Sequence, residues 1–347
     1  MSTIQTNAIV DASGGNTATV NGISPLANTA RFARNIIING DFQVAQRGTS
    51  HAYSNNGSGY HTLDRWYSAN FSSGTLTLSQ QTTALGTVDS TNYLRAVTAS
   101  TVGASATVYS SQKIENIKQF HNKSITVSFM VKASAALTFQ LRRQYNYGSG
   151  GSSEEYTGFT DVSVTTGWTK FTTTFSAVDF SGKTIGANNY FGILFYWSTN
   201  QGTDQRNDAT IEITNVQLET GTVATDFEHK TYASELTACQ RYYQQIVCGS
   251  DQFTFPGKGQ GSTTIDGTFP LAVPLRASPT MNAISSRFFS DDGFTSSTSA
   301  PTANQFSAGN CHLGLQIGSY SGGTAFSNNH AGVWCPLNST LKIDAEL

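Results

Sequence analysis

Charge is scarce in this sequence. Only 12% of its 347 residues are Asp, Glu, Lys or Arg, about half the share of an average soluble domain, and 20 basic against 22 acidic residues leave a formal net charge of −2. No basic run exists, which argues against nucleic-acid binding through phosphate neutralisation, because that needs clustered Lys and Arg. Long apolar runs are missing too. No stretch approaches the roughly 18 residues of a membrane-crossing helix, so membrane insertion is not expected. The start, Met-Ser-Thr-Ile-Gln-Thr, has neither the positive nor the apolar region of a signal peptide, and folding in a cytoplasm is expected. The 4 cysteines, Cys239, Cys248, Cys311 and Cys335, lie in the last third without C-x-x-C spacing. Free buried thiols are expected rather than a disulfide or metal framework.

Catalytic constellations are equally sparse. Glycan cleavage needs two carboxylates about 5–10 Å apart across a cleft. The available pairs are Glu154-Glu155 and Asp291-Asp292, both in loops, with Asp64 and Asp226 beside aromatics. Adjacent carboxylates in a loop diverge, the six histidines are scattered, and no Ser-centred elbow appears. The chain reads as a non-enzyme with no expected cofactor.

What fills the space is Gly, Ser, Thr, Asn and Gln, interrupted by short apolar runs with a period of two. Ser124-Ile-Thr-Val-Ser-Phe-Met-Val places Ile125, Val127 and Phe129 on one face of a strand. Further strands are read at 76–79, 93–97, 106–109, 137–141, 168–175, 190–197 and 211–218, with Tyr190–Trp197 apolar on both faces and therefore central. In Ile211-Glu-Ile-Thr-Asn-Val-Gln-Leu218 the alternation slips by one residue, which predicts a β-bulge near Asn215. A short strand, 36–38, precedes the turn at Asn39-Gly40. The fold class expected is all-β: a jelly-roll sandwich over 34–230, a helix over 231–241 and a second β domain over 242–347. Ser234 is the expected helix N-cap, with Leu236 and Cys239 on the packed face. Residues 1–33 bury no core of their own. In the second domain strands are expected at 243–247, 263–273, 280–289, 313–317 and 341–345.

The ordered pieces Asn35-Ile-Ile-Ile-Asn-Gly-Asp-Phe-Gln-Val-Ala-Gln-Arg-Gly48, Asp64-Arg65-Trp66, Val216-Gln-Leu-Glu-Thr-Gly221 and Phe227-Glu-His-Lys-Thr-Tyr-Ala-Ser-Glu-Leu-Thr-Ala-Cys-Gln-Arg-Tyr-Tyr243 resemble a family of bacteriophage and prophage tail-fibre proteins. Its first half is similar to carbohydrate-binding-module jelly rolls. The resemblance covers 35 to about 245 well and the remainder loosely. It implies a virion tail component assembled in the host cytoplasm, a homotrimer, attachment to other tail proteins through residues 1–33, and recognition of a host-surface polysaccharide. A purely structural tail adaptor or capsid-attached fibre, and less favourably a polysaccharide depolymerase, are the rival readings. The resemblance also implies that Asp41 and Glu219 contribute to a structural calcium site, although Gln43 stands where many such modules carry an acid.

Glycan contact calls for exposed aromatic faces flanked by polar side chains. Arg143, Tyr145, Tyr147 and Tyr156 around the Gly/Ser loop, and Tyr320, Phe326, Asn329 and His330 in the C-terminal loops, fit that pattern; burial between chains of an oligomer is the alternative. Arg47, Asp64, Arg65 and Trp66 are read as framework, with Arg47 paired to Asp64 and Gly48 at positive φ.

Overall fold

The computed structural model describes residues 34–101, 107–201, 205, 207–248, 255–260, 264–282, 285–290, 293–297, 302–305, 312–317, 331–336 and 339–347. The expected attachment segment 1–33, Asp291, Asp292, Tyr320, Phe326, Asn329 and His330 lie outside the described residues.

Two antiparallel sheets form a jelly-roll sandwich. The first runs β1 (Ser50–Tyr53), β4 (Thr75–Thr82), β5 (Asn92–Ala99), β13 (Thr210–Thr220), β7 (Ile125–Ala133) and β11 (Thr169–Phe175) from edge to edge. The second runs β10 (Thr160–Val164), β8 (Leu137–Asn146), β12 (Tyr190–Thr199), β6 (Thr107–Glu115), β3 (Tyr67–Asn70) and β2 (Gly57–Gly59), with β9 (Glu155–Tyr156) paired to β8. The inward sets of both sheets interdigitate as one core. Ile125, Val127, Phe129 and Val131 of β7 meet Phe139 and Leu141 of β8 and Phe191, Ile193, Phe195 and Trp197 of β12. Phe195 stacks on Trp197 at 5.6 Å and meets Phe129 edge-on at 5.2 Å. Each such side chain contributes about 1.5–3 kcal/mol on burial.

The bulge in β13 is present. Register shifts between Thr214 and Gln217 against β7, and Asn215 takes φ 55°. Its cause is the opening segment of the domain: the Asn35 amide donates to Val216 O, and Val216 N donates to Gly40 O. Gly40 has no room for a side chain, because a Cβ there would collide with Val216 O. Residues 36–38 were expected to form a strand and do not. Ile36 N bonds Leu218 O, but Ile37 N and Ile38 N turn to the side chains of Asn35 and Gln112, so no ladder forms.

Helix α1 (Tyr232–Gln240) follows the sandwich. Its N-cap is Thr231 rather than Ser234; the Thr231 hydroxyl accepts from Ser234 N. The face it buries carries Glu235 and Cys239, while Leu236 is only half-buried. Glu235 is drawn inward because its carboxylate accepts from Asn39 N at 2.7 Å, and burial pushes its pKa up.

Beyond the helix, the described residues form two further sheets. One is β14 (Tyr243–Cys248), β23 (Ser339–Asp344) and β17 (Thr280–Met281). The other is β19 (Gly293–Ser297), β18 (Ser286–Ser290), β22 (Ala331–Pro336), β15 (Phe255–Gln260), β16 (Thr264–Pro270), β21 (His312–Ile317) and β20 (Thr302–Gln305). Their core gathers Ile265, Phe269, Leu313, Leu341 and Ile343. The single strand expected over 280–289 is two strands in different sheets.

Candidate functional site

The framework motifs form a joint between the two β units. Trp66 is fully buried, with its indole N–H on Asn39 O at 3.0 Å and its ring 5.0 Å from Phe42. That packing holds Phe42 at φ 58°, a conformation a bulky side chain rarely adopts. Arg47 lies 4.0 Å from Asp64, the expected partner, but its nearer contacts are Asp344 at 3.0 Å and Glu346 at 3.4 Å. Arg65 pairs with Glu346 and donates to Lys113 O. The two guanidinium groups stack on Tyr243 at 3.6 Å and Tyr242 at 3.4 Å. Burial works against the Arg65 charge, yet Glu346 keeps its pKa raised. Asp64 accepts from Gln46 N and the Gln46 amide, and burial nevertheless pushes its carboxyl up to about 6. Gly48 has φ 131°.

The two residues expected at a calcium site differ in their engagement. Both Glu219 oxygens accept from Thr225, through its N–H at 3.0 Å and its hydroxyl at 2.6 Å. Asp41 Oδ2 accepts from Gln43 while Oδ1 is buried without a partner among the described residues, and burial raises its pKa. No group of three or more His, Cys, Asp or Glu side chains that could hold a metal ion occurs among the described residues.

Two of the expected glycan contacts are core residues. Tyr145 (3% exposed) packs against Phe180 and Phe191, and Tyr147 (0% exposed) packs against Phe180 with its hydroxyl on Glu155. Neither can offer a ring face to a ligand, because β8 turns Tyr145 inward with Phe139 and Leu141. Arg143 also faces the sandwich rim: its guanidinium lies over Phe175 at 4.3 Å and bonds Thr157 and Ser176 O. Glu155 pairs with Lys183 and Tyr147, and the Lys183 contact holds its pKa down. Glu154 turns the other way, to Gln144, Asn146 and Tyr156. The adjacent carboxylates thus serve opposite sides of the strand.

Tyr156 is the member of that group which does project outward, 40% exposed, and it joins an aromatic face that the sequence reading missed. The outward side of the second sheet carries the half-buried Tyr190 from β12, Tyr109 from β6 and Tyr67 from β3, packed around Tyr196 of β12, which is itself only 4% exposed. Register places Tyr196 directly beside Tyr109, and Ala69 of β3 beyond it. Ring centroids step 5.2 Å from Phe159 to Tyr196, 5.3 Å to Tyr109, 6.3 Å to Tyr67 and 5.4 Å to Tyr60. The row therefore crosses the strands, which lie about 4.8 Å apart. Polar groups are interleaved: the Arg142 guanidinium sits 4.6 Å from both the Tyr156 and Phe159 rings, Lys113 Nζ lies 4.9 Å from Tyr67, and Glu154 bonds Gln144. Burial lowers the Lys113 pKa and raises those of Tyr109 and Tyr196, so at neutral pH these tyrosines act as neutral hydroxyls. The signal was present in Tyr190-Phe-Gly-Ile-Leu-Phe-Tyr-Trp197: the hydroxylated rings share one face and the plain hydrocarbon rings the other.

No protein-family model matches the sequence, and no curated protein matches it. Solved structures with a similar chain course include a putative sugar-binding protein from Bacteroides thetaiotaomicron (14% identity, covering 54% of this chain and 100% of that one, TM-score 0.35). A family 11 carbohydrate-binding module of a Clostridium thermocellum cellulosomal cellulase shares 11% identity over 54% of this chain and 96% of its own, with TM-score 0.31. The enzymatically active domain of tailspike protein 4 from bacteriophage CBA120 shares 13% identity over 58% of this chain and 25% of its own, with TM-score 0.33. Likeness this slight assigns neither family nor activity.

Proposed function

We propose that this chain is a non-enzymatic virion fibre protein that recognises a host-surface glycan on the outer aromatic face of its second sheet. The observation that carries the glycan part is the outward aromatic group Tyr156, Phe159, Tyr109, Tyr67 and Tyr60, packed around the buried Tyr196 across the strands, with Arg142, Gln144, Glu154 and Lys113 beside it. Aromatic faces pack on the apolar C–H face of a sugar ring while neighbouring amides and charged groups bond its hydroxyls. The virion part rests on the ordered tail-fibre motifs of residues 35–243. In this reading the joint formed by Arg47, Arg65, Tyr242 and Tyr243 fixes the sandwich against the second β unit, and the chain acts as a homotrimer. Three tethered weak sites then gain roughly 10²-fold or more in avidity. The test is binding of the labelled protein to host cells, with its mass determined by light scattering on the same sample. Saturable binding by a trimer, abolished when surface polysaccharide is stripped, is expected; a folded protein that ignores host cells would transfer the assignment to a structural tail component.

A further inference from the structure

A second cleft, on the opposite side of the sandwich, has the chemistry of a separate site. It encloses about 330 Å³ on the outer face of the first sheet and is lined by Ser128, Met130, Lys170, Asn215 and Phe227, with the exposed Asp89, Asp226 and His229 at its rim. That volume lies in the range of small-molecule pockets. One wall is the strap that follows β13. Gln217 fastens this strap through Thr225, Asp226 O and Glu228 N, and Phe227 meets His229 edge-on at 4.9 Å.

The floor distinguishes it from an ordinary surface dip. Asn215 is 8% exposed, and its Oδ1 accepts from the hydroxyls of Ser90 and Thr214. Its Nδ2 has no hydrogen-bond partner among the described residues, and neither has the hydroxyl of Ser128, which is 3% exposed. Neither atom is sealed from solvent, so both are free to exchange water for a ligand hydroxyl. Asn215 occupies this position because of the β13 bulge, and bulges commonly re-aim a side chain next to a binding site. With this αL backbone, Asn215 forms part of the cleft lining.

We infer that this cleft is a second ligand site, for a single neutral sugar ring. The Asn215 amide and Ser128 hydroxyl serve ring hydroxyls from below, Asp89 and Asp226 accept from hydroxyls at the rim, and Phe227 with Met130 offers the apolar wall. Two rim carboxylates against the Lys170 ammonium, which itself donates to Thr225 O, disfavour an acidic sugar. The enclosed space suits one ring, whereas the aromatic face on the other sheet is an open row. The site stands independently of the aromatic face.

The test uses the full chain, titrated separately with glucose, galactose, mannose and N-acetylglucosamine, and reads the side-chain amide resonances of asparagine by NMR. Asn215→Asp identifies the Asn215 signal; it retains the acceptor for Ser90 and the tolerance for positive φ while removing the donor. Phe227→Ala removes the wall without touching the core, and Tyr109→Ala disables the aromatic face alone. Saturable shift of the Asn215 amide by at least one sugar is expected, with affinity falling at least tenfold in Asn215→Asp and in Phe227→Ala and unchanged in Tyr109→Ala. No shift with any of the four sugars would overturn the proposal, as would a shift that survives Asn215→Asp and Phe227→Ala or disappears in Tyr109→Ala.

Discussion

Replacing Arg65 by Met tests how the two β units are joined. Arg65 is fully buried, pairs with Glu346, donates to Lys113 O and stacks 3.4 Å from Tyr242. Methionine fills most of the same space without charge or donor. The Glu346 carboxylate is then left with Arg47 at 3.4 Å as its remaining cation, and Lys113 O loses a donor. Removing one partner of a buried ion pair costs about 3–5 kcal/mol, and the surviving Arg47 contact places the loss near ~3 kcal/mol. Adding Glu346→Gln should restore about 1–2 kcal/mol, because the stranded charge is removed as well. Urea unfolding at pH 7 on the single variants and the double variant forms a complete cycle. A loss under ~0.5 kcal/mol in Arg65→Met, or a double variant less stable than Arg65→Met, would refute the joint as described.

Two further predictions follow from the same region. Asp64 titrates at about 6 in the folded chain against an ordinary value of 3.8, so folding favours its protonated form. The stability it contributes is full below its unfolded pKa and is lost as pH rises through about 6, worth on the order of 3 kcal/mol. Unfolding free energy measured across pH 4–7, the window set by those two values, should therefore contain a falling component with rising pH that Asp64→Asn abolishes; parallel curves for the two proteins would contradict it. Gly40→Ala should destabilise the sandwich by about 3 kcal/mol, since the methyl group collides with the Val216 carbonyl and must displace the bulge; a melting temperature equal to wild type would show that the opening segment docks less tightly than described.

Much of the sandwich was legible because its strands alternate cleanly. The inward set of β7 and the slip at Asn215 follow directly from the period-two pattern. Residues 36–38 misled because an apolar run signals a strand only if its backbone meets another backbone; here the partners are the Asn35 and Gln112 side chains, the latter distant in sequence. The packed face of α1 misled for the same reason: Glu235 is buried more fully than the expected Leu236, since burial of a carboxylate depends on a remote N–H, that of Asn39. The candidate site was less legible. Tyr145 and Tyr147 looked like platforms because they flank a Gly/Ser loop, but strand parity sends Tyr145 inward, whereas Tyr190 and Tyr196 sit six residues apart on the outward parity of one strand. Tyr67 and Tyr109 belong to strands far apart in sequence, and only the order β12, β6, β3 brings them into one row.

The central claim is that the outward aromatic group around Tyr109 holds a glycan. The direct measurement is binding of the full chain to an array of host-surface and related polysaccharides, wild type beside Tyr109→Ala and Arg65→Met. Wild type should bind a restricted set of glycans, Tyr109→Ala should bind them at least about tenfold more weakly, equivalent to ~1.4 kcal/mol, and Arg65→Met should retain the specificity while folded. Glycan binding that is indifferent to Tyr109→Ala, or no glycan bound by the folded wild-type chain, would contradict the account.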